Sequence, residues 1–419
     1  MSQRNGSVLH WRRWKALCAL ACLLGSGQAA NASGSIVLET GSPNFSIVDD
    51  GDAQDAALVD SLPLDTYVYH PGPKQKHITV KTDRASHDFI FERGTSIDFA
   101  IRYRGRLYPQ RFAPVEPHIW DGPESFTLPF ELGDHHTILV KASINGSPPL
   151  RLLFDTGASV SVLNRQGGRT DAVLTGKTGN IDLGPITIRS TPIIPIAYSD
   201  SLKADGVLGY NGFLGREVTV DYGRRELRVG KPGHASREGF SSLPISWRGA
   251  RSLVMVGIDD GLSNRQVPML FDTGSKFALS LSNRDPLAGR IASLDGTGWS
   301  IGGRSDGGRI YSRVFTMPRV TLAGVPVADA RAEIELPGGE SGLAVNILGN
   351  DFLKRFDLIL DYGNGTIHVR PNALMPAPFD PVPVSDGVLM ACLGALALAV
   401  SGGLLWYRSR KGKGASLAS

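Results

Sequence analysis

The chain has 419 residues, 42% of them hydrophobic and 20% charged, with a formal net charge of +4. That length holds two or three domains with ample surface to bury, and the ordinary composition excludes disorder as the default state. Part of the positive charge sits in the two termini, and the middle of the chain offers no basic footprint for nucleic acid.

Residues 1–32 read as a signal peptide. A basic start, Trp11-Arg12-Arg13-Trp14-Lys15, precedes an apolar stretch at 16–25, and Ala30-Asn31-Ala32 has the small-x-small form of a cleavage site. The apolar stretch is shorter than the roughly 20 residues a bilayer span needs. An uncleaved anchor is the alternative. The three cysteines, Cys18, Cys22 and Cys392, all lie in apolar terminal segments. No disulfide, thiolate metal site or cysteine nucleophile is available between them. Residues 33–125 carry short alternating runs at 67–69, 77–81, 89–91 and 97–103, predicting a β-rich region. It shows no chemistry of its own, and either packs on the rest of the chain or recognises a partner.

Residues 126–232 and 243–371 form an internal repeat. Each copy opens with an alternating strand, at 137–144 and 252–258, followed by a hairpin turn, Asn145-Gly146 or Asp260-Gly261. The returning strand delivers Phe154-Asp155-Thr156-Gly157 in the first copy and Phe271-Asp272-Thr273-Gly274 in the second. Downstream come Val207-Leu208-Gly209 and Ile347-Leu348-Gly349, then Asp221-Tyr222-Gly223 and Asp361-Tyr362-Gly363. The step from Gly to Asp is the same in both, 221 − 209 = 12 and 361 − 349 = 12. A matching register at a second landmark marks a duplication. The preceding interval differs: 209 − 157 = 52 against 349 − 274 = 75. Much of the extra length is a Gly-rich stretch at 296–311. It is a candidate mobile cover supplied by the second copy, with an ordinary hairpin tip as the alternative.

Residues 372–387 are Pro-rich and predict a semi-extended stalk. Residues 388–407 are uncharged and apolar over the length of a bilayer core, predicting a transmembrane helix. The basic tail at 408–419, with Arg408, Arg410, Lys411 and Lys413, belongs in the cytoplasm. A processed sorting signal is the alternative. Either way the region between the two apolar segments is expected outside the cytoplasm.

Two carboxylates, each ending an apolar strand and each followed by a Gly turn, suit a hydrolase in which paired acids activate one water. A single Asp-x-Gly is usually a plain turn, and that reading covers Asp182, Asp205, Asp295 and Asp306. It does not cover two copies behind identical Leu-Phe strand ends. Gly157 and Gly274 let the backbone approach the carboxylates and donate N–H bonds. No His-Glu-x-x-His or Gly-x-Ser-x-Gly motif is present, and His135-His136 reads as a solvated pair.

On Asp155-Thr156-Gly157-Ala158-Ser159, Asp272-Thr273-Gly274-Ser275, Val207-Leu208-Gly209, Ile347-Leu348-Gly349-Asn350-Asp351-Phe352 and the phrase running from Phe356 to Tyr362, the chain resembles the aspartic peptidases. The resemblance is to the retropepsin-like branch found as bacterial envelope proteins, and it covers about residues 126 to 371. It implies an all-β, two-lobed retropepsin/pepsin-like acid protease fold, with one chain supplying both lobes of a monomeric active unit. It also implies Asp155 and Asp272 as the catalytic pair, and Thr156 and Thr273 as interlocking hydroxyls. No cofactor and no metal are implied. The function expected is a membrane-anchored aspartic endopeptidase cutting a peptide or protein substrate, on the periplasmic side of a bacterial inner membrane. Two alternatives stand: an inactive protease-like module that binds peptides or an envelope component, and an adaptor working through residues 33–125. The second turn departs from the first, Ser275-Lys276 against Ala158-Ser159. A lysine near the dyad would favour ionised carboxylates, whereas one facing solvent would not.

Overall fold

A computed structural model of the chain describes residues 36–49, 51–58, 64–70, 75–92, 94–165, 173, 178–196, 203–248, 251–261, 263–292, 296–303, 309–336, 345–381 and 384–385. The predicted signal peptide, transmembrane helix and basic tail lie outside the described residues. Among those described, no helix is long and apolar enough to cross a membrane.

The alternating runs of residues 33–125 form two four-stranded sheets. One orders the strands Ile36–Thr40, Ile97–Tyr103, Arg106–Pro114 and Asp65–Tyr69; the other orders Asp52–Ala57, Asn44–Asp49, Lys76–Lys81 and Ser86–Phe91. In Asn44–Asp49, Lys76–Lys81 and Ser86–Phe91 every second residue turns inward, as strand geometry requires. The sheets enclose their own core, which includes Phe45, Ile78, Phe89, Phe99, Ile101 and Phe112. Val115 N–H donates to the Tyr69 carbonyl (2.8 Å), leading the chain from this region into the first repeat.

Each repeat closes into a barrel. In the first, the strand Ile138–Ile144 pairs on one side with Leu150–Asp155 and on the other with Thr178–Leu183. In the second, Arg251–Asp259 pairs with Asn264–Asp272 and with Arg309–Leu322. The landmark strands sit in equivalent places. Leu150–Asp155 runs parallel to Gly206–Gly209, with Asp155 opposite Gly209. Asn264–Asp272 runs parallel to Asn346–Gly349, with Asp272 opposite Gly349. The equal 12-residue steps then carry both chains into one shared six-stranded sheet. Its centre pairs Glu217–Asp221 with Phe356–Asp361 antiparallel, Val218 opposite Leu360 and Val220 opposite Leu358. Each repeat supplies three of its strands, so a local two-fold passes between the central two. One apolar core runs through both barrels and this sheet.

The Gly-rich stretch is a two-stranded ribbon: Gly298–Gly303 pairs with Arg309–Leu322, from Gly298 opposite Val314 to Gly303 opposite Arg309. The predicted stalk is corrected. Residues 372–381 are fastened to the second repeat, with Leu374, Met375 and Phe379 packed on the core. The cause lies in two buried cations, Lys354 and Arg355, which are 2% and 0% exposed. A buried charge must be paired. Lys354 reaches Asp351 (2.6 Å) and Asp380 (3.3 Å). Arg355 donates to the Ala377 carbonyl (2.7 Å), and its guanidinium lies 3.6 Å from the centre of the Phe379 ring. Beyond this clamp, Val384–Ser385 pairs with the ribbon edge at Gly298 and Trp299. His135 is exposed, as its solvated reading had it, and meets Asp380 (2.8 Å), while His136 is partly buried and meets Lys354 (3.1 Å).

Candidate active site

The two Asp-Thr-Gly turns meet on the local two-fold, where the barrels join. Each turn first satisfies its own carboxylate. Asp155 Oδ1 accepts from Gly157 N–H (2.8 Å) and Ala158 N–H (3.0 Å). Asp272 Oδ1 accepts from Gly274 N–H and Ser275 N–H, both at 2.9 Å. The turns then lock together. Thr156 N–H donates to Thr273 Oγ1 (3.2 Å), and Thr273 N–H donates to Thr156 Oγ1 (3.0 Å). Each hydroxyl in turn donates across the junction, Thr156 to the Phe271 carbonyl (2.7 Å) and Thr273 to the Phe154 carbonyl (2.9 Å). Both threonines are buried, 1% and 0% exposed, so each of these four bonds replaces one that water would otherwise make.

Glycine is required for the carboxylates to come this close. A Cβ on Gly157 would lie 2.5 Å from Asp272 Cγ, and one on Gly274 would lie 2.4 Å from Asp155 Cγ. Each acid therefore sits against the glycine of the opposite turn, which brings the two carboxyl groups together. Both side chains stay partly open to solvent at the surface of the junction. Burial raises both acids above the ordinary carboxylate range. For Asp155 the hydrogen bond from Asp272 and the turn amides oppose that rise. Asp272 is raised further, by burial first and then by the neighbouring Asp155 charge. The pair thus holds one proton over a pH range in which two separate carboxyls would both be ionised.

The sequence difference between the turns has a geometric origin. In the first repeat Val162 stands opposite Val207, and in the second Ser280 stands opposite Ile347. Val162 follows its aspartate by 162 − 155 = 7 residues, and Ser280 follows by 280 − 272 = 8. The second turn is one residue longer, and Lys276 lies within it. Its charge acts on Asp134, whose carboxyl is held low mainly by Lys203, with smaller help from His135 and Lys276. The causes acting on the dyad are burial, the partner carboxyl and the turn amides.

Sequence reading assigned no role to the tyrosines of the two Asp-Tyr-Gly landmarks. Tyr222 donates its hydroxyl to Asn350, the residue after Gly349 in the other repeat. Tyr362 stacks on Tyr210, the residue after Gly209, with ring centres 5.6 Å apart. The equal 12-residue spacing was the signal: it places each tyrosine opposite the end of the other repeat's supporting strand. Tyr210 also bonds His70 Nε2 (2.9 Å), and His70 stacks on Trp247 at 4.1 Å. Burial, with the nearby Lys76 charge, lowers His70 to about 3, so the ring is neutral. This contact joins the N-terminal sheets to the junction of the repeats. Among the described residues, no three His, Cys, Asp or Glu side chains cluster so as to hold a metal ion.

No family model and no curated protein matches the chain. Among solved structures it is similar to the crystal structure of aspartic proteinase from Irpex lacteus. The identity is 14% and the TM-score 0.39, over 61% of this chain and 100% of that one.

Proposed function

We propose that the chain is an aspartic endopeptidase whose catalytic pair is Asp155 and Asp272. The observation that carries this reading is the mutual seating of the two acids. Each is held by two amides of its own turn and lies against the other turn's glycine, beside its partner. A plain pair of surface turns needs none of this. In the proposed reaction an extended peptide lies across the junction with a water between the carboxyls. The ionised carboxylate takes a proton from the water as its oxygen attacks the scissile carbonyl. The protonated carboxyl gives its proton to the carbonyl oxygen, forming a neutral gem-diol. Collapse of that diol returns one proton to the dyad and delivers one to the leaving amine. The pair titrates as a unit, so the roles belong to the dyad and not to either residue.

The test is cleavage of an unbiased peptide library by the purified chain and by its Asp155→Asn and Asp272→Asn forms. Each substitution is expected to lower kcat/KM by about 10³-fold or more, because neither acid can share the proton alone. Equal cleavage by all three proteins would remove the peptidase reading. The sequence of the two terminal segments supports a location outside the cytoplasm, tethered by residues 388–407. Cleavage of the repeats by added protease once the outer membrane is permeabilised and the inner membrane left intact, with release of the chain only by detergent, is the expected result.

A further inference from the structure

The strand register assigns a face to every side chain near the dyad, because partners across a sheet share a side and neighbours along a strand alternate. In the second repeat the face bearing the Asp272 carboxyl runs outward from Gly349 and Ile347. Opposite Ile347 is Ser280, and opposite Ser280 is Glu333. The other face of these strands carries Phe271, Leu348, Leu279 and Ala332, all in the core. In the first repeat the same walk goes from Gly209 and Val207 to Val162 and then Ile194. Position for position, Val207, Val162 and Ile194 of the first repeat correspond to Ile347, Ser280 and Glu333 of the second.

Glu333 is held in place rather than merely present. Ser280 Oγ donates to one carboxylate oxygen (2.6 Å) and Ser300 Oγ, from the Gly-rich ribbon, donates to the other (3.1 Å). The side chain is half-buried, and no cation bonds it among the described residues. Burial lifts its carboxyl to about 7, the two serines oppose the rise, and the buried Glu335 adds to it. Only neutral donors thus hold this acid among the described residues. It lies two strands beyond Ile347, roughly 10 Å away, which is the reach of a substrate side chain a few residues from the scissile bond.

We propose that Glu333, held by Ser280 and Ser300, forms a subsite in the second repeat that selects a lysine or arginine side chain of an extended peptide. The inference rests on the reading of this face as a peptide-binding surface, and makes Glu333 a specificity residue outside the chemical step. A basic side chain would meet the carboxylate that the serines leave partly open. The apolar wall of the first repeat would take an aliphatic side chain on the other side of the scissile bond.

The test uses the non-cleaving Asp155→Asn protein, whose substitution lies in the opposite repeat. A single lysine is walked through an otherwise alanine and leucine peptide of about eight residues, fluorescein-labelled, and binding is read by anisotropy. At one or two positions lysine is expected to bind about tenfold more tightly than leucine. Adding Glu333→Gln is expected to abolish that gain and leave the lysine-free peptides unchanged. Adding Glu333→Asp is expected to keep the sign of the gain. The inference is overturned if no position favours lysine, if the gain survives Glu333→Gln, or if Glu333→Asp loses as much as Glu333→Gln. Cleavage by the unsubstituted chain is measured separately. A lysine gain without any cleavage would overturn the peptidase reading and leave the acidic subsite standing.

Discussion

The two repeats build the same barrel and then put different chemistry on it. At the junction they are near copies: Thr156 mirrors Thr273, Gly157 mirrors Gly274, and each aspartate accepts two turn amides at 2.8 to 3.0 Å. Away from the turns the likeness ends, with Val162 where the other repeat has Ser280 and Ile194 where it has Glu333. Symmetry is enforced where the two turns are each other's hydrogen-bond partners, because a change in one leaves a buried group of the other unpaired.

The strongest way to break the symmetric part is a methyl group. Gly157→Ala and Gly274→Ala each bring a Cβ to about the same distance from the opposite carboxyl carbon, 2.5 and 2.4 Å. Both are expected to cut kcat/KM by about 100-fold or more, and by similar factors, although the surrounding walls are unlike. Unequal losses would show that the two turns are not equivalent in the reaction.

The next effect separates the repeats. The buried cations held by residues 372–381 belong to the second repeat, and a chain ending at residue 371 would leave Lys354 and Arg355 without Asp380 and the Ala377 carbonyl. Lys354 keeps Asp351, so each cation loses a charged hydrogen bond rather than its whole counter-charge, at about 1.5–3 kcal/mol each. Urea unfolding is expected to show that loss in the second repeat. An unchanged midpoint would return the segment to a tether.

A smaller difference concerns pH. Asp272 is raised further than Asp155. A carboxyl whose folded pKa lies above its unfolded one binds more protons folded than unfolded, so stability falls as pH rises past about 4. Asp272→Asn removes that penalty. Its melting temperature should exceed that of the unsubstituted chain at pH 7, with the gap closing toward pH 4. Asp155→Asn should show the same sign and a smaller gap. His70 acts in the opposite direction: its folded pKa of about 3 lies below the unfolded value of 6.5. Stability from that contact is full above 6.5 and is lost as pH falls toward 3, a slope absent in His70→Phe.

The junction was legible in the sequence because its parts are local: an apolar strand, a turn and a glycine, repeated with a second landmark in step. The walls were not. Glu333 follows Asp272 by 333 − 272 = 61 residues, and in the stretch Ala330-Arg331-Ala332-Glu333-Ile334-Glu335 it reads as an ordinary outward position of a strand. Only the pairing of Ser280 with Ile347 and with Glu333 shows which surface that outward side belongs to. The extra residue in the second turn is hidden for the same reason, since register is set by partners and not by spacing from the aspartate. The Pro-rich segment misled because proline runs read as extended chain, while the buried cations that fasten it, Lys354 and Arg355, stand in a different part of the sequence.

The smallest expected effect transplants the difference itself. Ile194 occupies the mirror position of Glu333 and is half-exposed. Ile194→Glu puts a carboxylate on the first wall without the serines that hold Glu333. If wall chemistry sets substrate choice, the variant should gain a preference for lysine at a peptide position on the other side of the scissile bond, while the original lysine position is unchanged. The gain should be only about two- to fivefold, because an acid that is half in water and free to rotate contributes little. A new preference at the original position, or none at either, would show that the two walls do not read opposite sides of one peptide.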